Sequence, residues 1–125
     1  VGGFGVFNTE RLNVVIQELR TEGHTVTFVK KKSMDAVEDV RQWIDGNQLD
    51  ILHIDGNHSF EGAFQDYVVY APLVREGGIV VIHDVRAVGD ATQGARRLFD
   101  CLSQFHKTQL SYVENITNGI GIVWI

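Results

Sequence analysis

The stretch Ile51-Leu-His-Ile-Asp-Gly-Asn-His-Ser59, with Gly77-Gly-Ile-Val-Val-Ile-His-Asp84 downstream, decides the fold of this chain. Each stretch is an apolar run that ends in polar, ionisable residues. Such runs are typical of strands that are covered on both faces of a parallel sheet. Asp55 and Asp84 lie 29 positions apart (84 − 55), about one β-α-β unit. The spacing therefore predicts two neighbouring parallel strands, whose carboxyl ends form the edge where open α/β sheets bind ligands.

Helical and strand patterns alternate on either side of these two strands. Apolar residues recur at helical spacing in four stretches: 9–22, 33–46, 60–73 and 91–105. Ser33 and Ser59 are the predicted N-caps of the second and third helices. The side chains predicted to face inward on the fourth helix are Leu98, Cys101, Leu102 and Phe105. Strand-like runs cover six: 1–7, 25–29, 49–54, 79–82, 110–113 and 120–125. This order predicts an α/β fold with a Rossmann-like, doubly wound and mostly parallel sheet. The turn-like residues between the last two strands predict an antiparallel C-terminal hairpin at one edge.

Size and composition predict a single domain over residues 1–125. The net charge of −5 argues against nucleic acid and anionic membrane as partners, because both attract clustered positive charge. No apolar run has the length of a membrane span. The single cysteine, Cys101, excludes an internal disulfide and fits a reducing compartment, so we expect a cytoplasmic protein. Its place in a helical pattern predicts a buried, unreactive thiol.

Four ionisable residues at the two strand ends indicate a catalytic or metal-binding site. Asp55 and Asp84 are carboxylates that could share a hard cation such as Mg²⁺. His83 could be a third ligand or could orient one, and His58 could act as a general base, since an imidazole titrates near ~6.5. The structural alternative is that strand-end Asp and His residues bond nearby backbone. Because ionisable residues follow both strands, we favour a functional site over this structural alternative. His53, inside an apolar strand, is expected to be a core histidine.

The residues Leu52-His-Ile-Asp-Gly-Asn-His-Ser-Phe-Glu-Gly62, followed by Gly77-Gly78 and His83-Asp84, resemble a known family. They match the IDG-x-HS-x-EG … GG … HD pattern of class I S-adenosylmethionine-dependent methyltransferases, in the style of macrocin O-methyltransferases and cephalosporin hydroxylase-like proteins. The resemblance covers about residues 50–99, and it is specific because many positions agree at fixed spacing. It implies S-adenosylmethionine as cofactor and a hydroxylated small molecule or sugar as methyl acceptor.

The resemblance also implies roles for individual residues. The positions of Asp55, His83 and Asp84 hold a divalent ion, Mg²⁺, in metal-dependent members, although His83 here replaces an acid. His58 stands where a histidine is the proposed base of some sugar methyltransferases. Ser33 and Met34 look like the turn that flanks the cofactor adenine, so the implied cofactor-binding set is Ser33, Met34, Asp55 and His58.

The sequence departs from the family pattern at its beginning. The family's first strand-helix unit, with its Gly-rich loop, is missing upstream of Val1. Gly3-Phe4-Gly5 resembles the family's second strand. Gly5 stands at the position of an aspartate that binds the ribose hydroxyls of the cofactor. Loss of that charged hydrogen bond typically costs ~1.5–3 kcal/mol. Two explanations are open: the chain is part of a longer enzyme, or it is a shortened relative without catalysis.

The non-catalytic alternative is a truncated or degenerate methyltransferase-like protein that acts through binding or assembly. A missing strand would leave an open sheet edge, which favours a homodimer. A third reading, a phosphoacceptor receiver-like domain, is suggested by the length and by the strand before Asp55. It fits poorly, because no acidic pair ends the first strand and no Lys-Pro follows the last parallel one.

Overall fold

The computed structural model describes residues 9–86, 93–112 and 118–125, which fall into two compact units that divide between Lys31 and Lys32. In the first unit, α1 spans Thr9–Thr21, with Glu10 in its first turn, where a carboxylate suits the helix dipole. Gly23 follows it with φ +91°, as a glycine that stops a helix does. The helix predicted over 9–22 is thus confirmed.

The strand predicted over 25–29 is wrong, and the one predicted over 1–7 lies outside the described residues. Two backbone oxygens of 25–29 accept bonds from within this unit: Val26 O from the Arg20 side chain, and Val29 O from the Lys31 N–H. A β-branched run becomes a strand only where another strand pairs with it. No described strand pairs with this run.

The second unit contains the sheet and the remaining helices. Its elements in chain order are α2 (Ser33–Ile44), β1 (Leu49–Ile54), α3 (Phe60–Tyr70) with a 3₁₀ turn (Ala71–Leu73), β2 (Val74–His83), α4 (Gln93–Leu102), β3 (Thr108–Ser111) and β4 (Ile120–Trp124). The α2 helix begins after Lys32, whose side chain makes no cap, so Ser33 is not the N-cap that the sequence predicted.

The four strands lie in the order β1-β2-β4-β3. The β1 and β2 strands are parallel, and Leu52 pairs with Val80 and Ile54 with Ile82. The β4 strand runs antiparallel to both β2 and β3. This confirms the α/β fold class, the parallel neighbours and the antiparallel hairpin at one edge.

The core lies around β2, the strand that carries the second half of the site. Val80 and Ile82 are fully buried between β1 and β4 in the sheet, and Leu98 and Phe99 of α4 belong to the same cluster. Burying side chains of this size stabilises a fold by about 1.5–3 kcal/mol each. The end of β2 is therefore held in place by the best-packed part of the molecule.

Two side chains predicted to face inward on the last helix are exposed. The α4 helix ends at Leu102, so Phe105 lies beyond it and is 82% exposed. Cys101 sits at the margin of the buried stripe formed by Leu98 and Leu102, and it too is exposed. Within the three described ranges, no helix has the length and apolar character needed to cross a membrane.

Candidate active site

Asp55 and Asp84 occupy equivalent positions, each directly after a strand. Because Ile54 and Ile82 are paired in the parallel ladder, the ends of β1 and β2 lie side by side. The structure therefore brings Asp55, His58, His83 and Asp84 together, and we call these four residues the quartet. The Nδ1 atom of His83 lies 3.3 Å from Asp55 Oδ1. The juxtaposition predicted from the sequence is present.

Asp84 is the most constrained member of the quartet. Its side chain is 8% exposed, and among the described residues Asp84 is the one charged residue that is buried. Its φ of +61° places it in the left-handed region, which costs about 1–3 kcal/mol and persists only where the surroundings impose it. The Oδ1 atom of Asp84 is buried and makes no hydrogen bond. A buried carboxylate oxygen in this state is available to a ligand.

His83 faces both carboxylates with one ring nitrogen. Its Nδ1 lies 2.9 Å from Asp84 Oδ1, yet this atom too is buried without a hydrogen bond. The ring of His53 meets that of His83 edge-on, with centroids 6.2 Å apart. His53 is exposed, so its prediction as a core histidine is wrong. Ile51, two residues earlier on the same face of β1, is exposed as well, so this face of the strand is open in the described part of the chain.

His58 approaches the carboxylates from the loop after β1. Its Nε2 lies 3.4 Å from Asp55 Oδ1 and 3.4 Å from Asp84 Oδ2. The loop is shaped by Asn57, whose Oδ1 accepts from the Ser59 N–H, and by Ser59, whose Oγ accepts from the Gly62 N–H. This is the N-cap predicted for α3, and it fixes the backbone directly after His58.

Gly94 supports the same loop from α4, and the sequence did not predict this role. A Cβ at Gly94 would collide with backbone atoms of His58, Ser59 and Phe60. Only a glycine lets the helix approach this closely. The sequence signal is a glycine at the start of a helical pattern, but the contact joins residues 36 positions apart (94 − 58), so spacing alone could not reveal it.

The donor atoms of the quartet suit a divalent cation. Asp55, His58 and Asp84 each offer one ligand atom, and these atoms lie within 4.8 Å of one another. His83 Nδ1 lies beside both carboxylates but is not a member of this group. Two carboxylates supply two negative charges, which a divalent ion would balance. The residues present therefore fit the ion that the resemblance implies.

The residues predicted to flank the cofactor lie at the start of α2. Ser33 is the first residue of that helix, and its carbonyl oxygen accepts a hydrogen bond from the Tyr70 hydroxyl of α3. Burial raises the pKa of Tyr70, and Asp66 adds to that effect. Met34 follows Ser33 and is 45% exposed. The described contacts tie this turn to α3, and its link to a cofactor stays a prediction.

Comparisons with known proteins agree with this architecture. A family described as a methyltransferase domain matches residues 8–85. A protein from Staphylococcus aureus, assigned as a caffeoyl-CoA O-methyltransferase, has a TM-score of 0.64 at 17% identity over 94% of this chain and 60% of that one. A protein from Corynebacterium glutamicum gives 0.61 at 17% identity, over 94% and 56%. The solved structures show the shared fold, and this chain spans 60% and 56% of their lengths.

Proposed function

Because this chain belongs to the methyltransferase-domain family, we propose that it serves S-adenosylmethionine-dependent O-methylation of a hydroxyl on a small molecule or sugar. The observation that carries the proposal is the convergence of the quartet at the carboxyl ends of β1 and β2. This is the edge where cofactors and substrates bind in open α/β sheets. The structural relative assigned as an O-methyltransferase supports the reaction class. The single cysteine supports a cytoplasmic location.

We propose that Asp55 and Asp84 hold a divalent ion, which the resemblance gives as Mg²⁺. When bound, the ion would supply positive charge that eases removal of a proton from the acceptor hydroxyl. Asp84 is suited to the task because its orphaned Oδ1 is buried and fixed by the core around β2. Asp55 is 47% exposed, so it leaves an open side from which an acceptor can approach.

His58 is the proposed general base. Its ring is partly exposed, and the capped loop and Gly94 fix its backbone. The nearby Asp84 Oδ2 would stabilise the positive charge that the imidazole gains when it accepts the hydroxyl proton. The methyl-accepting oxygen would thus be prepared by groups from both strand ends. The cofactor would lie against Asp55 and His58, with Ser33 and Met34 at its adenine.

A second candidate function is assembly without catalysis, and the open side of β1 favours it. Within the described residues, β1 pairs with β2 alone, and Ile51 on β1 is 59% exposed. An exposed strand edge invites a further strand. A second copy of the chain would satisfy it and give a homodimer. Sedimentation of the purified protein tests this alternative directly.

The test of the catalytic proposal is calorimetric titration with S-adenosylmethionine, with and without a divalent ion. The purified protein is expected to bind the cofactor, and absence of binding would contradict the proposal. Asp55→Asn is expected to abolish metal-dependent turnover. Asp50→Asn, on the strand that precedes Asp55, is the matched control, because Asp50 is exposed and pairs with Arg75. Turnover unchanged in Asp55→Asn would remove Asp55 from the site.

His58→Ala separates the proposed base from a binding residue. Loss of the imidazole is expected to lower turnover by about 100-fold, the lower end of the contribution of a general base, with little effect on cofactor affinity. Calorimetry gives the affinity, and single-turnover methyl transfer gives the rate. A large fall in affinity with an unchanged rate would instead make His58 a binding residue.

A further inference from the structure

We infer that Arg86 binds an anionic group, a carboxylate or a phosphate, on the molecule whose hydroxyl accepts the methyl group. The inference rests on the proposed function and adds the class of the acceptor, which the quartet does not specify. Arg86 lies two residues after Asp84, beyond the carboxyl end of β2. It belongs neither to the proposed metal site nor to the proposed proton transfer.

Arg86 is held at three points along its length. Its backbone N–H donates to the Asn118 carbonyl oxygen over 2.6 Å. Its aliphatic stem packs on Gly119, where a Cβ would lie 3.1 Å from Arg86 Cγ. Its guanidinium carbon lies 3.7 Å from the centre of the Tyr112 ring. An arginine that is already fixed in this way loses little further freedom when it binds a ligand.

The contact with Tyr112 leaves the charge of Arg86 without a negative partner. A guanidinium donates its N–H groups as a planar fork, which matches the oxygens of a carboxylate or a phosphate. Among the residues that the structure describes, no carboxylate lies within ion-pair distance of Arg86. Arg75, at the other end of β2, has such a partner in Asp50. The donor fork of Arg86 therefore suits an anionic ligand.

The partial burial of Arg86 distinguishes it from a solvated surface charge. Arg86 is half-buried and follows Val85, which is fully buried. A charge that is partly removed from water gains more from an opposite charge than an exposed one does. Arg97 is the contrast, because its guanidinium also lies over a ring, that of Phe60, but it is exposed on α4. We therefore assign the anion to Arg86.

The strand order allows one small molecule to reach both Arg86 and the quartet. Ile120 of β4 pairs with His83 on one side and with Ser111 on the other, and Tyr112 follows Ser111. The Tyr112 end of β3 and the quartet therefore lie at the same edge of the sheet. Neighbouring strands stand about 4.8 Å apart, so the end of β3 lies on the order of 10 Å from β2. A sugar phosphate or an aromatic hydroxy acid has a comparable length.

Nuclear magnetic resonance of the ¹⁵N-labelled protein tests the inference without S-adenosylmethionine or a divalent ion. The protein is titrated with potassium phosphate and, separately, with potassium acetate, at an ionic strength held constant with potassium chloride. We expect a saturable shift of the Arg86 Nε–H resonance with at least one of the two anions, and the two titrations separate phosphate from carboxylate. Arg86→Gln identifies the resonance. The Arg75 resonance is the internal control, because Asp50 already engages that side chain.

Matched pairs of hydroxylated compounds extend the test to the acceptor. The pairs are glucose 6-phosphate with glucose, and 4-hydroxybenzoate with 4-hydroxybenzamide. In one pair at least, calorimetry should show the charged member binding at least about tenfold more tightly than the neutral one. Arg86→Gln is expected to remove that difference, while Arg75→Gln, at the opposite end of β2, keeps it.

Three results would overturn the inference. One is the absence of a saturable Arg86 shift with both phosphate and acetate in the unmodified protein, a result that does not depend on the folding of any variant. The second is equal affinity for the charged and neutral members of both pairs. The third is a preference for the charged member that is lost in Arg97→Gln and kept in Arg86→Gln. All three leave methyl transfer to be judged separately, by cofactor binding.

Discussion

Asp55 and Asp84 are the same residue type and follow two neighbouring strands at equivalent positions, yet they differ in exposure, backbone conformation and contacts. Asp55 is 47% exposed and faces both histidines with one oxygen, Oδ1. Asp84 is 8% exposed, has φ +61°, and faces each histidine with a different oxygen. The first lies at an open edge and the second in a tight, buried turn. The comparison indicates that Asp84 organises the site and Asp55 completes it.

The largest expected effect is the loss of divalent-ion affinity when the carboxylate of Asp84 or of Asp55 is replaced by an amide. Asp84→Asn is expected to lower divalent-ion affinity by more than about 100-fold, because it removes the buried anionic donor. The same carboxylate lies next to the ring nitrogens of both histidines and helps to orient them. Asp55→Asn is expected to cause a smaller loss, since water can replace an exposed donor. Calorimetric titration with Co²⁺ measures both. If Asp55→Asn lost more affinity than Asp84→Asn, the ranking of the two aspartates would be wrong.

Gly94→Ala tests the support that the site receives from α4. The added methyl group meets backbone atoms of His58 and Phe60, so the free energy of unfolding should fall by about 1–3 kcal/mol. Turnover should fall as well, because the His58 loop must move. Gln93→Ala, at the exposed preceding residue of the same helix, is the control. Equal denaturation midpoints for the two variants would show that the contact does not constrain the loop.

Asp84→Gly and Asp55→Gly should change stability in opposite directions. Glycine relieves the left-handed backbone at residue 84, and we expect a gain of about 1 kcal/mol in the ion-free protein. At residue 55 there is no such strain to relieve, so glycine should cost about 0.5–1 kcal/mol through the unfolded chain. Urea denaturation in the presence of a chelator measures both. Equal shifts would mean that Asp84 stores no strain.

The smallest expected effect is on stability, when the Ser59 N-cap of α3, beside the Asp55 loop, is removed. Ser59→Ala removes the acceptor for the Gly62 N–H and should lower the free energy of unfolding by about 1 kcal/mol. Ser33→Ala is the matched control, because Ser33 is the first residue of α2 and not its N-cap. That variant should change stability by only a few tenths of a kcal/mol. Thermal denaturation of both variants, each against the wild type, gives the comparison.

The sequence predicted the location of the site because it depends on short-range rules. Two apolar runs one β-α-β unit apart place Asp55 and Asp84 side by side, and local cap chemistry fixes Ser59. The features that distinguish the aspartates depend on packing between distant elements. The burial of Asp84 comes from the core around β2, and the Gly94 contact comes from α4 against the loop. No local pattern encodes either.

The same limit explains the errors. The run 25–29 has the composition of a strand but does not form one. Strand formation depends on a neighbouring strand that pairs with the run, and residue propensities do not show whether one is present. His53 has the pattern of a core residue, but its exposure depends on whether another element covers its face of β1, which the strand's own sequence does not specify. Cys101 lies one residue from the buried Leu102 and still faces outward, because a helix turns about 100° per residue.

In the proposed site, Asp55 and Asp84 hold one divalent ion at the carboxyl ends of β1 and β2. Anomalous diffraction at the cobalt edge, from crystals of the protein grown with Co²⁺, tests it most directly. One strong peak is expected about 2.1 Å from a carboxylate oxygen of Asp55 and from a carboxylate oxygen of Asp84. A crystal with Co²⁺ bound elsewhere and no peak at these atoms would contradict it.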